Sequence, residues 1–303
     1  MMKNQMPAVW SHWSKPFISS HPGAIWLSIK HYLMSFVLSL ENAKQHFKET
    51  RLITDSIGAA MLVDEIGLEF DQVSVELDFL NNQYGFDWWN LGKLHAYRIQ
   101  DKPFIHLDND VFLWKPLPTT LLEAPVFAQN PEFFTENSDY YLPSEFEMAI
   151  NQIEKGWLPE EWKWSRNLFG HFQKSMNTGI FGGQRPDLIH YAANLAFQIL
   201  DHPINQISLE SIEKKAQIAG MLEMYLPAAC IDCYFGADVF AKYLFTSAEE
   251  AFEKGDSIGY THLLGSSKRN LSIISRLEKR VEKEYPIYYE RCVAFAEKPQ
   301  LFL

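Results

Sequence analysis

Pro103-Phe104-Ile105-His106-Leu107-Asp108-Asn109-Asp110 is the stretch on which the reading of this chain turns. Residues 104–107 are bulky and mostly apolar, and a polar triplet cuts them off. They read as a strand that runs straight into two carboxylates.

Working outward from that strand, the preceding hundred residues alternate between two periods. Ala8-Val9-Trp10 is a short opening strand. A long helix follows, with Ile29, Tyr32, Leu33, Phe36, Val37, Leu40 and Phe47 recurring on one face. Arg51 to Asp55 is a strand closed by the turn at Gly58, and Ala59 to Glu65 is a helix ended by Gly67 as C-cap. Gln72 to Leu77 alternates as a strand. Trp88 to Ile99 is helical, with Trp89, Leu91, Leu94 and Tyr97 as its apolar set. Strand and helix in strict alternation imply βαβ units, hence an α/β fold with a mostly parallel central sheet flanked by helices. Ligands of such sheets bind at the carboxyl ends of the strands, which is where the triplet sits.

Downstream the pattern loosens. Residues 130–170 read as loops and short helices, and Asn177 to Gly183 as a turn into a short strand and out again. Residues 187–201 and 208–225 read as helices, and Ser272 to Phe295 as an amphipathic helical tail. With no repeat, low-complexity tract or linker, residues 1–303 read as one domain. A nucleotide- and metal-binding half spans about 8–120, an acceptor half about 121–270, and the tail 271–303.

The composition bounds the function. Of 303 residues, 47% are apolar and 21% charged, enough for a large core. The net charge is -11, from 38 acidic and 27 basic residues, which argues against a nucleic-acid partner. A phosphate-bearing ligand would need a bound cation or a local basic cluster to reverse that sign. Residues 1–13 lack the apolar core of a signal peptide, and the apolar stretch around Tyr32 to Leu40 is too short to span a bilayer. Three cysteines do not form a secreted disulfide framework. The expectation is a cytoplasmic protein without a transmembrane segment. Arg276, Lys279, Arg280 and Lys283 on the tail allow a peripheral position at a membrane or, equally, a solvated helix face.

Two motifs carry chemistry. Asp108 and Asp110, two residues apart at a strand end, can face one hard cation such as Mn²⁺ or Mg²⁺, which prefer oxygen ligands. Such a cation neutralises a diphosphate leaving group. The same pair also reads as a strand-end turn capping its own amides, since about 0.6 such pairs arise by chance in this composition. The second motif is Thr261-His262-Leu263-Leu264-Gly265-Ser266-Ser267-Lys268. His262 offers an imidazole to a metal, Gly265 lets backbone approach a phosphate, and Lys268 supplies a point charge. His-x-x-Gly-x-x-Lys arises by chance only about 0.03 times, so it is the sharper signal.

Asp108-Asn109-Asp110, Asn177-Thr178-Gly179 and His262-x-x-Gly265-x-x-Lys268 together resemble, in order and spacing, the retaining GT-A glycosyltransferases. The glycogenin-like and lipooligosaccharide galactosyltransferase-like families are the nearest of these. The resemblance covers roughly residues 8–270. It implies a GT-A fold in which Asp108, Asp110 and His262 bind Mn²⁺ or Mg²⁺ with the diphosphate of a nucleoside diphosphate sugar. Gly265 and Lys268 would hold that diphosphate, and Asn177, with Gly179 in the same motif, would contact donor sugar or acceptor. Lys93 falls where that group places a basic residue near the donor, and Asp55 is either a contact to base or ribose or a cap. The implied activity is hexosyl transfer to a saccharide or other hydroxyl acceptor with retained anomeric configuration. Three departures stand out. Arg269-Asn270 follow the lysine in place of Pro-Trp, Thr178 replaces an alanine, and Glu223-Met224-Tyr225 occupies the place of an acidic-Gln-Asp segment. Glu223 is therefore the nominee for stabilising positive charge on the donor sugar.

Cys230-Ile231-Asp232-Cys233 lacks a second pair and is flanked like a buried helix, so it reads as packing and not as a redox or zinc site. Trp10, Trp13, Trp88 and Trp89 read as core. No nucleophile elbow, Walker loop or dinucleotide fingerprint occurs. Metal-dependent nucleotidyl or phosphoryl transfer, and a non-catalytic nucleotide-sugar-binding protein, are the alternatives.

Overall fold

The computed structural model describes residues 3–19, 25–135, 142–153, 155–170, 172–236 and 241–297. The end of the expected tail, 298–303, lies outside them. Its described strands are β1 (Ala8–His12), β2 (Thr50–Thr54), β3 (Gln72–Ser74), β4 (Phe104–Leu107), β5 (Val111–Leu113), β6 (Val126–Phe134), β7 (Gln173–Gly183), β8 (Ala241–Tyr243) and β9 (Tyr260–His262). The fold is mixed α/β, with mostly parallel pairing and helices flanking the strands. The chain forms two compact units with interleaved segments. The first comprises Met1–Phe86, Ile105–Leu117 and Gly255–Leu303, and the second Asp87–Phe104 and Pro118–Lys254. Gly265 and Lys268, which the sequence groups with the acceptor half, therefore belong to the first unit.

In the first unit the strands run β3-β2-β1-β4, all parallel. β4 is buried at every position, as a strand covered on both faces must be. The helix Ile29–Ala43 covers the sheet with Leu33, Phe36, Val37 and Leu40 fully buried. The apolar face was expected to run on to Phe47, but the helix ends at Ala43; Phe47 is buried beyond it, beside the bridge to Asn4. The strand expected over Gln72 to Leu77 is only Gln72–Ser74, an edge strand whose Val73 faces solvent. The segment Ala60–Glu65 is wound as a π-helix following the short helix Ser56–Ala59. Gly67 closes it at φ +77, a left-handed conformation that favours glycine. Past the triplet, β5 pairs antiparallel with β9, setting Val111 opposite His262.

In the second unit β6 pairs antiparallel with β7 and parallel with β8. β7 corrects the expected short strand: it runs for 11 residues, all buried. Its extension upstream, Gln173 to Met176, is polar at three positions of four, which hides it from a periodicity argument. Packing centres on Trp162, whose ring lies 5.1 Å from Phe146 and 4.7 Å from Tyr225. Tyr97 on the helix Leu91–Arg98 meets Phe181 of β7 at 4.9 Å. One described helical run, Lys215–Phe235, is long and apolar enough to cross a bilayer (mean hydropathy 1.2), yet 78% of that apolar window is buried inside the protein. Its middle, Met221–Tyr225, is a π-turn. Pro227 accounts for it, because it has no N–H to give the Glu223 carbonyl and its ring crowds that carbonyl. Cys230 and Cys233 follow on the helix Leu226–Phe235, and burial pushes both thiols up.

Candidate metal centre

The first unit gathers Asp108, Asp110 and His262, whose ligand atoms all lie within 4.8 Å of one another. Three elements bring them together. β4 ends at Leu107 and delivers Asp108 to the carboxyl edge of the sheet. The Val111 amide donates to the Asp108 carbonyl at 3.0 Å, a tight turn that puts both carboxylates on one side. β9 then sets His262 alongside, with the Leu263 amide donating to the Asp110 carbonyl at 3.0 Å. Asn109 faces elsewhere and donates to Ser35 Oγ at 3.2 Å. Ser39 Oγ holds the Asp108 carbonyl at 3.2 Å and itself accepts from Trp10 Nε1 at 3.0 Å. Ser35 and Ser39, four apart on an otherwise apolar helix face, are the signal that sequence reading passed over.

Asp110 is the buried member of the set, at 3% exposure, while Asp108 is partly open. Lys268 Nζ lies 2.5 Å from Asp110 Oδ2 and His262 Nε2 lies 3.3 Å from Oδ1. Burial by itself raises the Asp110 pKa, but Lys268 and His262 outweigh it and hold the carboxyl well below its ordinary range. Oδ1 accepts no well-formed hydrogen bond although it is buried. An orphaned carboxylate oxygen beside an imidazole and a second carboxylate suits a divalent cation with mixed O and N ligands. The donor set therefore fits the metal that the motifs imply. Lys268 sits in the turn Gly265–Arg269, with Trp26 under its ammonium at 5.6 Å. Gly265 opens that turn at φ +49 with no atom within 4 Å of where a Cβ would stand. Both Asp55 oxygens are committed, Oδ1 to the Gly58 amide at 2.7 Å and Oδ2 to Ser14 Oγ at 2.6 Å. Asp55 thus caps the helix that follows β2, the cap role of its two sequence readings.

The second unit holds the other sequence candidates. Lys93, 9% exposed, lies with Nζ 2.7 Å from Glu223 Oε1 and 3.1 Å from the Thr178 carbonyl. Thr178 Oγ1 donates to the same Glu223 oxygen at 2.7 Å. Glu223 Oε2 is buried with no hydrogen-bond partner. Asn177 donates to Glu132 Oε1 at 3.0 Å and accepts from the Gly179 amide at 3.0 Å. Glu132 is a polar partner the sequence did not single out, and Thr178 stood out there only as a departure from the motif, not as a partner of Glu223. Thr178 stands at the point of departure from the family motif, and that substitution was the available clue.

No curated protein matches this chain. Among solved structures it is similar to the galactosyltransferase LgtC in complex with donor and acceptor sugar analogs, at 11% identity and a TM-score of 0.33 over 72% of this chain and 70% of that one. It is also similar to an active-site mutant of LgtC, at 12% identity and a TM-score of 0.35 over 71% and 69% of the two chains. A family model described as a family of unknown function, DUF6734, matches residues 5–295, and the chain belongs to that family.

Proposed function

We propose that this protein is a metal-assisted glycosyltransferase that moves a hexose from a nucleoside diphosphate sugar to a hydroxyl acceptor. Retention of anomeric configuration belongs to this reading through the motif resemblance. The observation that carries it is the convergence of Asp108, Asp110 and His262 within 4.8 Å, with Lys268 on Asp110. A divalent cation held there supplies Lewis acidity to a diphosphate leaving group. Asp108, Asp110 and His262 would hold it, with Asp110 as the buried ligand. Lys268 gives a phosphate oxygen a second positive partner, and the left-handed turn at Gly265 leaves space for the phosphate beside the backbone. Such a cluster answers the repulsion that a net charge of -11 imposes on an anionic ligand.

Within the second unit, the roles proposed for Glu223 and Asn177 are contacts to sugar. Glu223 Oε1 is tied to Lys93 and Thr178, which leaves Oε2 to accept from a hydroxyl or to face developing positive charge. The test is product analysis with a panel of nucleoside diphosphate sugars and Mn²⁺. Release of nucleoside diphosphate is expected, with Asp110→Asn at least about a hundredfold slower. Release of pyrophosphate would point instead to nucleotidyl transfer, and full activity in Asp110→Asn would overturn the metal reading.

A further inference from the structure

Lys268 occupies an unusual position for a residue whose proposed partner is a phosphate. Its ammonium is 2.5 Å from Asp110 Oδ2, on the same carboxylate of the candidate metal cluster whose Oδ1 is buried without a hydrogen-bond partner among the described residues. The side chain is anchored at its root, since the Lys268 carbonyl accepts from the Leu27 amide at 3.1 Å. Its tip rests over Trp26, which is 3% exposed, so it is not freely solvated. Asp110 is therefore claimed by two positive groups, the tethered ammonium and a divalent cation. A +2 and a +1 charge a few ångströms apart repel by several kcal/mol even at an effective dielectric of about 20. Asp110 is the anion that both positive groups approach; Asp108 adds a second carboxylate to the cluster, while His262 and Trp26 add no negative charge.

The repulsion is offset when a diphosphate arrives. A diphosphate brings oxygens enough to coordinate the cation and to take the ammonium at the same time. Lys268 then exchanges Asp110 for phosphate without leaving its turn. We propose that Lys268 is an exchangeable internal counter-ion that opposes metal binding alone and supports metal binding with a diphosphate, making the two ligands mutually dependent. The proposal rests on the metal reading above. By linkage, the same coupling strengthens diphosphate binding when metal is present.

The experiment titrates Mn²⁺ into the full chain, following the free-ion electron paramagnetic resonance signal, for wild type, Lys268→Gln and Lys268→Arg. Each titration is repeated with inorganic pyrophosphate, a probe that carries the diphosphate without a base. Lys268→Gln should bind Mn²⁺ alone about tenfold tighter than wild type, and the metal–pyrophosphate pair about tenfold more weakly. Lys268→Arg, which keeps the charge, should follow wild type in the absence of pyrophosphate. Equal Mn²⁺ affinity in wild type and Lys268→Gln would overturn the counter-ion role while leaving the metal site standing. Absence of Mn²⁺ binding in all three proteins would instead sink the metal reading, and the inference with it. Matching thermal unfolding of the variants checks that each is folded.

Discussion

Two single residues show how much the first unit stakes on local conformation. Gly265 holds φ +49, where an L side chain clashes with its own backbone at a cost of about 1–2 kcal/mol. Because nothing lies within 4 Å of its Cβ position, that cost is purely conformational. Gly265→Ala should lower the urea midpoint by an amount matching that penalty with an unchanged slope, and Gly265→Asn should lower it less. His12, at the end of β1, is the second. It is 4% exposed, with Nδ1 2.6 Å from Tyr32 OH and its ring edge-on to Phe17 and Phe36. Burial lowers its pKa to about 4, with Asp55 pulling the other way. The folded protein thus keeps His12 neutral where the unfolded chain, titrating near 6.5, takes up a proton. The stability this contributes is complete above pH 6.5 and is lost as pH falls toward 4, by a total of about 3 kcal/mol. Denaturation between pH 7 and 4 should show a shallower pH slope in His12→Gln than in wild type; identical slopes would place the titration elsewhere.

At the scale of elements, β7 and the π-turn define each other. A strand buried along 11 residues that still carries Gln173, Lys174, Ser175, Asn177 and Thr178 draws its polar partners from inside the protein, although Gln173 Oε1 and Ser175 Oγ find none among the described residues. Lys174 finds Asp232 at 2.7 Å, and Thr178 shares Glu223 with Lys93. The π-turn imposed ahead of Pro227 sets the phase at which Glu223 leaves its helix. Removing one partner of such a buried pair leaves a lone charge and costs about 3–5 kcal/mol, whereas replacing both with apolar groups can be nearly neutral. Glu223→Leu should therefore be severely destabilised in chemical denaturation, and Lys93→Met combined with Glu223→Leu should recover most of the loss. A double variant no better than the single one would mean that the pair is not the controlling interaction.

For the whole molecule, ligand linkage is the plainest expectation. Mn²⁺ and a nucleoside diphosphate, together at about a hundred times their dissociation constant, should stabilise the folded chain by about 2.7 kcal/mol. The thermal shift should disappear on adding a chelator and be absent from Asp110→Asn. At this scale the sequence by itself determined the class and the rhythm. Apolar runs of the right length around 8–10, 51–55 and 104–107, separated by helix-period stretches, admit little but parallel strands with helical crossovers, because period follows from backbone geometry alone. It also determined the metal candidates, since Asp108 and Asp110 stand two positions apart at a strand end. The resemblance had already set His262 beside the two aspartates; what stayed open was how contacts distant in sequence bring such residues together. His262 reaches Asp110 through the β5–β9 pairing across about 150 residues, and the polar strand β7 has no periodic signature until Lys93, Glu223 and Asp232 are placed around it. Only the tertiary structure decided that Asp55 is a cap, that Lys93 pairs with Glu223, and that Lys268 rests on Asp110. Which partner a charged side chain takes depends on burial and on neighbours from remote segments, and neither is encoded within a local window.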